Sequence, residues 1–138
     1  MMKAVIVEDE IHCQERLIEL LEKLDRNIRV LKKFKNILEA RKYLRTEKVD
    51  LLFLDVELKD GTGFELLQSL DEIDFEIIFT TAYNNYAQQA FDYSAVHYLL
   101  KPIEFKKLSE AVDRVEQKKS NKGGVDELKE LLYNLEVH

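Results

Sequence analysis

The residues able to do chemistry in this chain follow short apolar runs. Glu8, Asp9 and Glu10 come directly after Ala4-Val5-Ile6-Val7, and Asp55 and Glu57 come after Leu51-Leu52-Phe53-Leu54. Thr80 and Thr81 close the run Phe75–Phe79, and Lys101-Pro102 follows Tyr98-Leu99-Leu100. Carboxylates gathered in one place repel unless a cation or a shared proton compensates. A hard, oxygen-rich site with few protein ligands suits Mg²⁺, which keeps several of its waters. A lysine and a threonine opposite it would face whatever anion joins the metal. The same acids exclude another chemistry. A phosphate-cradling loop needs glycines and free backbone N–H groups, whereas Glu8-Asp9-Glu10 would repel a nucleotide or flavin phosphate.

Stepping along the chain, the hydrophobic period alternates between strand and helix. The continuous apolar runs are those of strands buried on both faces. Between them lie helical stripes: Leu17/Leu20/Leu21/Leu24, then Ile37/Ala40/Leu44 from about Asn36, then Leu66/Leu67/Leu70/Ile73 after the turn Asp60–Gly63. A helix over about 84–93 and one bearing Phe105, Leu108, Val112 and Val115 complete the set, and a weaker strand runs from Ile28 to Phe34. Five strands alternating with five helices predict an α/β fold with a doubly wound parallel sheet covered on both faces. In such sheets ligands bind beyond the carboxyl ends of the strands, which is where the acids, the threonine and the lysine all fall.

The length of 138 residues fits one ordinary domain, and 46% apolar with 35% charged residues supports a packed core. No apolar run is long enough to span a membrane, and the acidic turn after Val7 is not a secretory signal. The single Cys13 excludes an intramolecular disulfide framework and agrees with the cytoplasm. The net charge of −6 argues against a whole surface devoted to nucleic acid. That charge is uneven: residues 50–76 hold nine acids against Lys59 alone, and residues 32–48 hold seven bases against two acids. The simplest account is two solvated faces of opposite sign. The polar stretch 118–124 ends in Gly123-Gly124 and reads as a linker. Beyond it Val125, Leu128, Leu132 and Leu135 space as one more helix.

Four pieces in order, Val7-Glu8-Asp9-Glu10, Phe53-Leu54-Asp55-Val56, Thr81-Ala82-Tyr83 and Tyr98-Leu99-Leu100-Lys101-Pro102, resemble the receiver domain of two-component response regulators. The stretches 81–87 and 90–102 are most similar to receivers fused to LytTR-type DNA-binding domains. The resemblance implies the flavodoxin-like strand order 2-1-3-4-5. It makes Asp55 the acceptor of a phosphoryl group from a sensor histidine kinase. Asp9 would hold Mg²⁺ directly, Glu8 through water, and the backbone carbonyl of Glu57 would add a ligand. Thr81 and Lys101 would contact the phosphoryl oxygens, with Lys101-Pro102 a cis bond. Thr81 and Tyr98 would form the switch, although Tyr98 also reads as ordinary core packing. Such a domain is a phosphoacceptor with slow self-dephosphorylation rather than an enzyme. Glu8 stands where an Asp is commoner in the family, and Lys59 where a Pro is frequent. His12 reads as a surface residue, since His12 and Cys13 alone make no metal site.

The implied organisation is a receiver over 1–120, a linker at 121–124 and a C-terminal helix over 125–138 that would open an interdomain linker. Dimerisation on phosphorylation follows from that last stripe, DNA contact only through a further effector domain, and no membrane contact is expected. One competing function is a Mg²⁺-dependent phosphohydrolase with an aspartyl nucleophile, for which Glu57 would be the second acid. No insertion long enough to form a substrate-covering cap accompanies it. Another is a binding module that keeps the pocket without gaining phosphate.

Overall fold

A computed structural model describes residues 1–93, 95 and 97–120. The elements run β1 (Met2–Val7), α1 (Ile11–Leu24), β2 (Ile28–Phe34), α2 (Ile37–Thr46), β3 (Leu51–Asp55), β4 (Glu57–Leu58), β5 (Gly61–Thr62) and α3 (Gly63–Gln68). They continue with β6 (Glu76–Thr81), α4 (Ala87–Phe91), β7 (His97–Leu100) and α5 (Phe105–Ser120). The main sheet has the order β2-β1-β3-β6-β7 and every pairing in it is parallel. Setting aside the small β4–β5 hairpin, this is the expected 2-1-3-4-5 order of a doubly wound, flavodoxin-like sheet.

Strand periodicity sorts the core into two layers. Ala4, Ile6, Leu51, Phe53 and Ile78 face α1 and α5, where Leu17, Leu20, Leu108, Val112 and Val115 pack. Val5, Val7, Leu52, Leu54, Ile77 and Phe79 face α2, α3 and α4, meeting Ile37, Ala40, Phe64, Leu67 and Ala90. Both faces of β1, β3 and β6 are therefore apolar, and their ends project the site residues beyond the core. Local caps fix where the helices begin. Asn36 accepts from the Glu39 N–H and Thr62 from the Glu65 N–H, satisfying donors that the first helical turn leaves open.

The structure departs from the expected elements in four places. α3 stops at Gln68 instead of carrying its stripe to Ile73, which is exposed. Ser69 ends it by donating its hydroxyl to the Leu66 carbonyl while accepting from Arg41 of α2. α4 is confined to Ala87–Phe91, because Asn84 and Asn85 favour turns over helix. The β4–β5 hairpin was invisible to periodicity, each strand being two residues long. Phe105, placed on the core stripe of the last helix, is exposed at its first position. The linker at 121–124 and the helix expected over 125–138 lie outside the described residues.

Candidate functional site

Parallel alignment of β1, β3, β6 and β7 places their carboxyl ends side by side. Val7 pairs with Leu54, Asp55 with Thr80, and Thr81 with Leu100. Glu8 and Asp55 are buried and Asp9 is half-buried. One carboxylate oxygen from each of the three lies within 4.8 Å of the others. Lys101 spans the group, its Nζ pairing with Glu8 Oε1 and lying 2.9 Å from Asp55 Oδ2. The Lys101 N–H donates to the Thr81 carbonyl at 2.7 Å, which extends β7's pairing to the residue that bears the amine. The Lys101-Pro102 bond is cis.

The electrostatics follow from burial and from this pairing. Burial pushes the Glu8 carboxyl up from 4.5 to about 7; the hydrogen bond from Lys101 opposes that and the negative charge of Asp55 adds to it. Burial would lower the Lys101 ammonium, but its bonds to Glu8 and Asp55 outweigh burial and raise it. Lys101 is therefore a fixed positive charge at neutral pH. Two buried carboxylates and a third nearby share one lysine, so the cluster remains acid-rich. Its oxygen-only donor set, partly open through Asp9, fits a hard cation that keeps water ligands.

Neighbouring residues hold these groups in place. Gln14, buried on α1, donates its amide to the Glu8 carbonyl at 2.6 Å and to the Phe34 carbonyl at 3.4 Å, tying the ends of β1 and β2. The Glu57 N–H donates to Asp55 Oδ1 at 3.2 Å. Gly63 begins α3 so close to β3 that a Cβ there would lie 2.5 Å from the Asp55 carbonyl oxygen. Asp60 accepts from the Ile37 N–H at about 3.0 Å, clamping the hairpin to α2. Thr81 is buried, and its Oγ1 accepts from the Tyr83 N–H at 3.3 Å. Tyr98 is half-buried and donates its hydroxyl to the Tyr83 carbonyl, so its ring is already tied to the loop after β6. His12 is exposed.

The structure brings Glu8, Asp9, Asp55 and Lys101 together past the strand ends, adds Glu57 through its backbone N–H, and links Thr81 and Tyr98 alongside through Tyr83. Sequence reasoning missed Gln14 and Tyr86, the latter donating its hydroxyl to Glu57 Oε1 at 2.7 Å. Gln14 left a trace, a polar residue three positions before Leu17 on the buried stripe. Tyr86 left none, because its partner is brought near only by the fold.

Comparison with known proteins points in one direction. A family profile described as the response regulator receiver domain matches residues 4–113. An uncharacterised response regulatory protein of Vibrio cholerae is 39% identical over 124 residues, which cover 88% of this chain and 52% of that protein. The sensory transduction protein LytR of Staphylococcus haemolyticus is 35% identical over 129 residues, 92% of this chain and 50% of that one. The chain spans about half the length of these curated relatives. Among solved structures, the response regulatory domain of protein mrkE from Klebsiella pneumoniae superposes with a TM-score of 0.80 at 28% identity, covering 88% of this chain and all of that one. TrrA from Thermotoga maritima, solved in complex with Mg²⁺-BeF, gives a TM-score of 0.70 at 29% identity over 83% of this chain and 99% of that one.

Proposed function

This chain belongs to the response regulator receiver family of two-component systems, and from that premise we propose that Asp55 accepts a phosphoryl group from a sensor histidine kinase in the cytoplasm. The observation that carries the reading is the cluster itself: a buried carboxylate, Asp55, held between a fixed ammonium and two further acids at the open end of the sheet. An Asp55 oxygen attacks phosphorus, the phosphorus–nitrogen bond of the donor phosphohistidine breaks, and its electron pair returns to the imidazole. Phosphoryl transfer of this kind is mostly positioning and neutralisation of oxygen charge. Asp9, Asp55 and the Glu57 carbonyl, with Glu8 through water, would hold Mg²⁺, which would supply charge neutralisation. Lys101, paired with Glu8 and Asp55, contributes a further positive charge. Glu57 keeps its N–H on Asp55 Oδ1, limiting rotation of the acceptor.

Once Asp55 carries the phosphoryl group, the Thr81 hydroxyl leaves the Tyr83 N–H and donates to a phosphoryl oxygen. The loop that Tyr98 holds through the Tyr83 carbonyl then rearranges, and the surface of α4, β7 and α5 changes shape. That is a population shift of an existing element, not a new structure. Self-dephosphorylation is slow on this reading, because the Glu57 carboxylate, the second acid a hydrolase would use, is engaged by the Tyr86 hydroxyl. The similarity to LytR-type proteins supports a role in transcription regulation, with DNA bound by an effector domain rather than by the receiver itself.

Incubation with acetyl phosphate and Mg²⁺ followed by intact-mass spectrometry tests the reading. One phosphoryl group added per chain supports the acceptor. Rapid release of inorganic phosphate would establish the hydrolase instead, and no reaction would leave an inert binding module.

A further inference from the structure

The hairpin that follows Asp55 is too short to be held by its own ladder. It pairs only Glu57 with Thr62 and Leu58 with Gly61, and isolated hairpins even of normal length are marginal in water. Its position must come from outside anchors. Asp60 supplies one on the α2 side through the Ile37 N–H. On the opposite side stands Tyr86, immediately before α4, whose hydroxyl reaches Glu57 Oε1 at 2.7 Å. The Tyr86 ring is fixed by packing, with Phe64 at 6.1 Å and Tyr83 edge-on at 6.5 Å, and Phe64 in turn lies 5.1 Å from Phe79 of the core. The hydroxyl is therefore aimed by contacts that do not depend on it.

Resting on the reading of Asp55 as acceptor, we propose that Tyr86 is a positioning residue that acts through Glu57. By holding the Glu57 carboxylate, the Tyr86 hydroxyl fixes the backbone of residue 57 beside the acceptor and joins that backbone to the start of α4. Residue 57 is the right one to hold. Its N–H contacts Asp55 Oδ1, and its carbonyl is the proposed cation ligand. The arrangement also forms a chain of contacts: Asp55 to Glu57, Glu57 to Tyr86, Tyr86 to the Tyr83 ring, and Tyr83 to Tyr98 on β7. Two routes thus lead from the acceptor to α4, one through Thr81 and one through Tyr86.

The test uses the full chain and two readouts besides phosphorylation: Mg²⁺ affinity, and the amide shifts of residues 87–91 on adding Mg²⁺ with beryllofluoride. Tyr86→Phe deletes one hydrogen bond and keeps the ring. It is expected to weaken Mg²⁺ binding roughly threefold to tenfold, the scale of one hydrogen bond to a charged group at a solvated site. It should also shrink the 87–91 response by about that bond's share while leaving the metal-free melting temperature at the wild-type value. Glu57→Gln, which keeps an acceptor for the hydroxyl, should retain most of the 87–91 response. Tyr86→Phe should add nothing in a Glu57→Ala background, since the two act as a unit. Wild-type Mg²⁺ affinity and a full 87–91 response in Tyr86→Phe would overturn the role. So would effects that add to those of Glu57→Ala, or a loss that merely tracks a lowered metal-free melting temperature. A wild-type chain that takes up neither Mg²⁺ nor beryllofluoride overturns the acceptor reading itself, and the role of Tyr86 with it.

Discussion

Glu8 is 3% exposed, bonded to Lys101 on one side and to the Glu10 N–H at 3.1 Å on the other. Its carboxyl, raised by burial from 4.5 to about 7, binds a proton more readily in the folded chain than in the unfolded one. Its contribution to stability is therefore full below about pH 4.5 and is lost as pH rises through about 7. The metal-free protein should lose of order 1–3 kcal/mol between pH 5 and 8 from this group. Urea midpoints measured across that range should fall, and Glu8→Gln should flatten the slope. Saturating Mg²⁺ should remove most of the fall, since a bound cation favours the ionised form and binds only the folded state. A midpoint that rises from pH 5 to 8 without metal would contradict the account of Glu8. Which side chains could meet was legible at this scale, because Glu8, Asp9, Asp55, Thr81 and Lys101 all end apolar runs. What each touches was not: the Tyr98 hydroxyl on the Tyr83 carbonyl and the Gln14 amide on the Glu8 carbonyl are set by tertiary packing alone.

Elements matter here through the two ends that meet the acceptor. α3 starts against β3, and the Gly63 N–H donates to the Val56 carbonyl at 2.8 Å. Gly63→Ala would push a methyl to 2.5 Å from the Asp55 carbonyl and 2.8 Å from Leu54 Cγ. Overpacking of that kind costs about 1–3 kcal/mol, and it would displace the acceptor's own backbone. Denaturant unfolding should show the loss, and phosphorylation by acetyl phosphate should slow; an unchanged midpoint would mean that the contact relaxes freely. β6 ends in Thr81, and Thr81→Ala should still accept a phosphoryl group but transmit less of it to the α4–β7–α5 surface. Identical amide-shift changes in wild type and Thr81→Ala on adding beryllofluoride would refute that coupling. The central strands β1, β3 and β6 could be read from sequence because buried parallel strands are continuous apolar runs, whereas edge strand β2, half-exposed along its length, showed only as a weaker one. Helix lengths were less legible: α3 ends where the Ser69 hydroxyl bonds the Leu66 carbonyl, and α4 starts only after the turn-favouring Asn84-Asn85 pair, effects that a stripe of leucines does not reveal.

For the whole molecule, the two-layer core and the open carboxyl edge of the sheet divide the labour. The layers carry stability, and the edge carries the charges. α5 is held by the packing of Leu108, Val112 and Val115 and carries surface ion pairs, Arg26 with Asp113 and Glu116, and Lys118 with Glu76. The stripe Val125/Leu128/Leu132/Leu135 falls in a sequence segment of 14 residues, 125–138, whose isolated helix would be marginal in water. The sequence pattern leads us to propose that the stripe pairs with that of a second copy when Asp55 is phosphorylated. Sedimentation of residues 1–124 and of the full chain, each with and without beryllofluoride, should show dimers only for the activated full chain. Equal dimerisation of both would move the interface to the α4–β7–α5 surface. The central claim is that Asp55 is the phosphoacceptor, and trapping the acyl phosphate tests it most directly. Borohydride reduction after phosphorylation with acetyl phosphate and Mg²⁺, followed by peptide mass spectrometry, should mark residue 55 and nothing in Asp55→Asn. A mark on Asp9 or Glu57, or an undiminished phosphoryl adduct in Asp55→Asn, would contradict it.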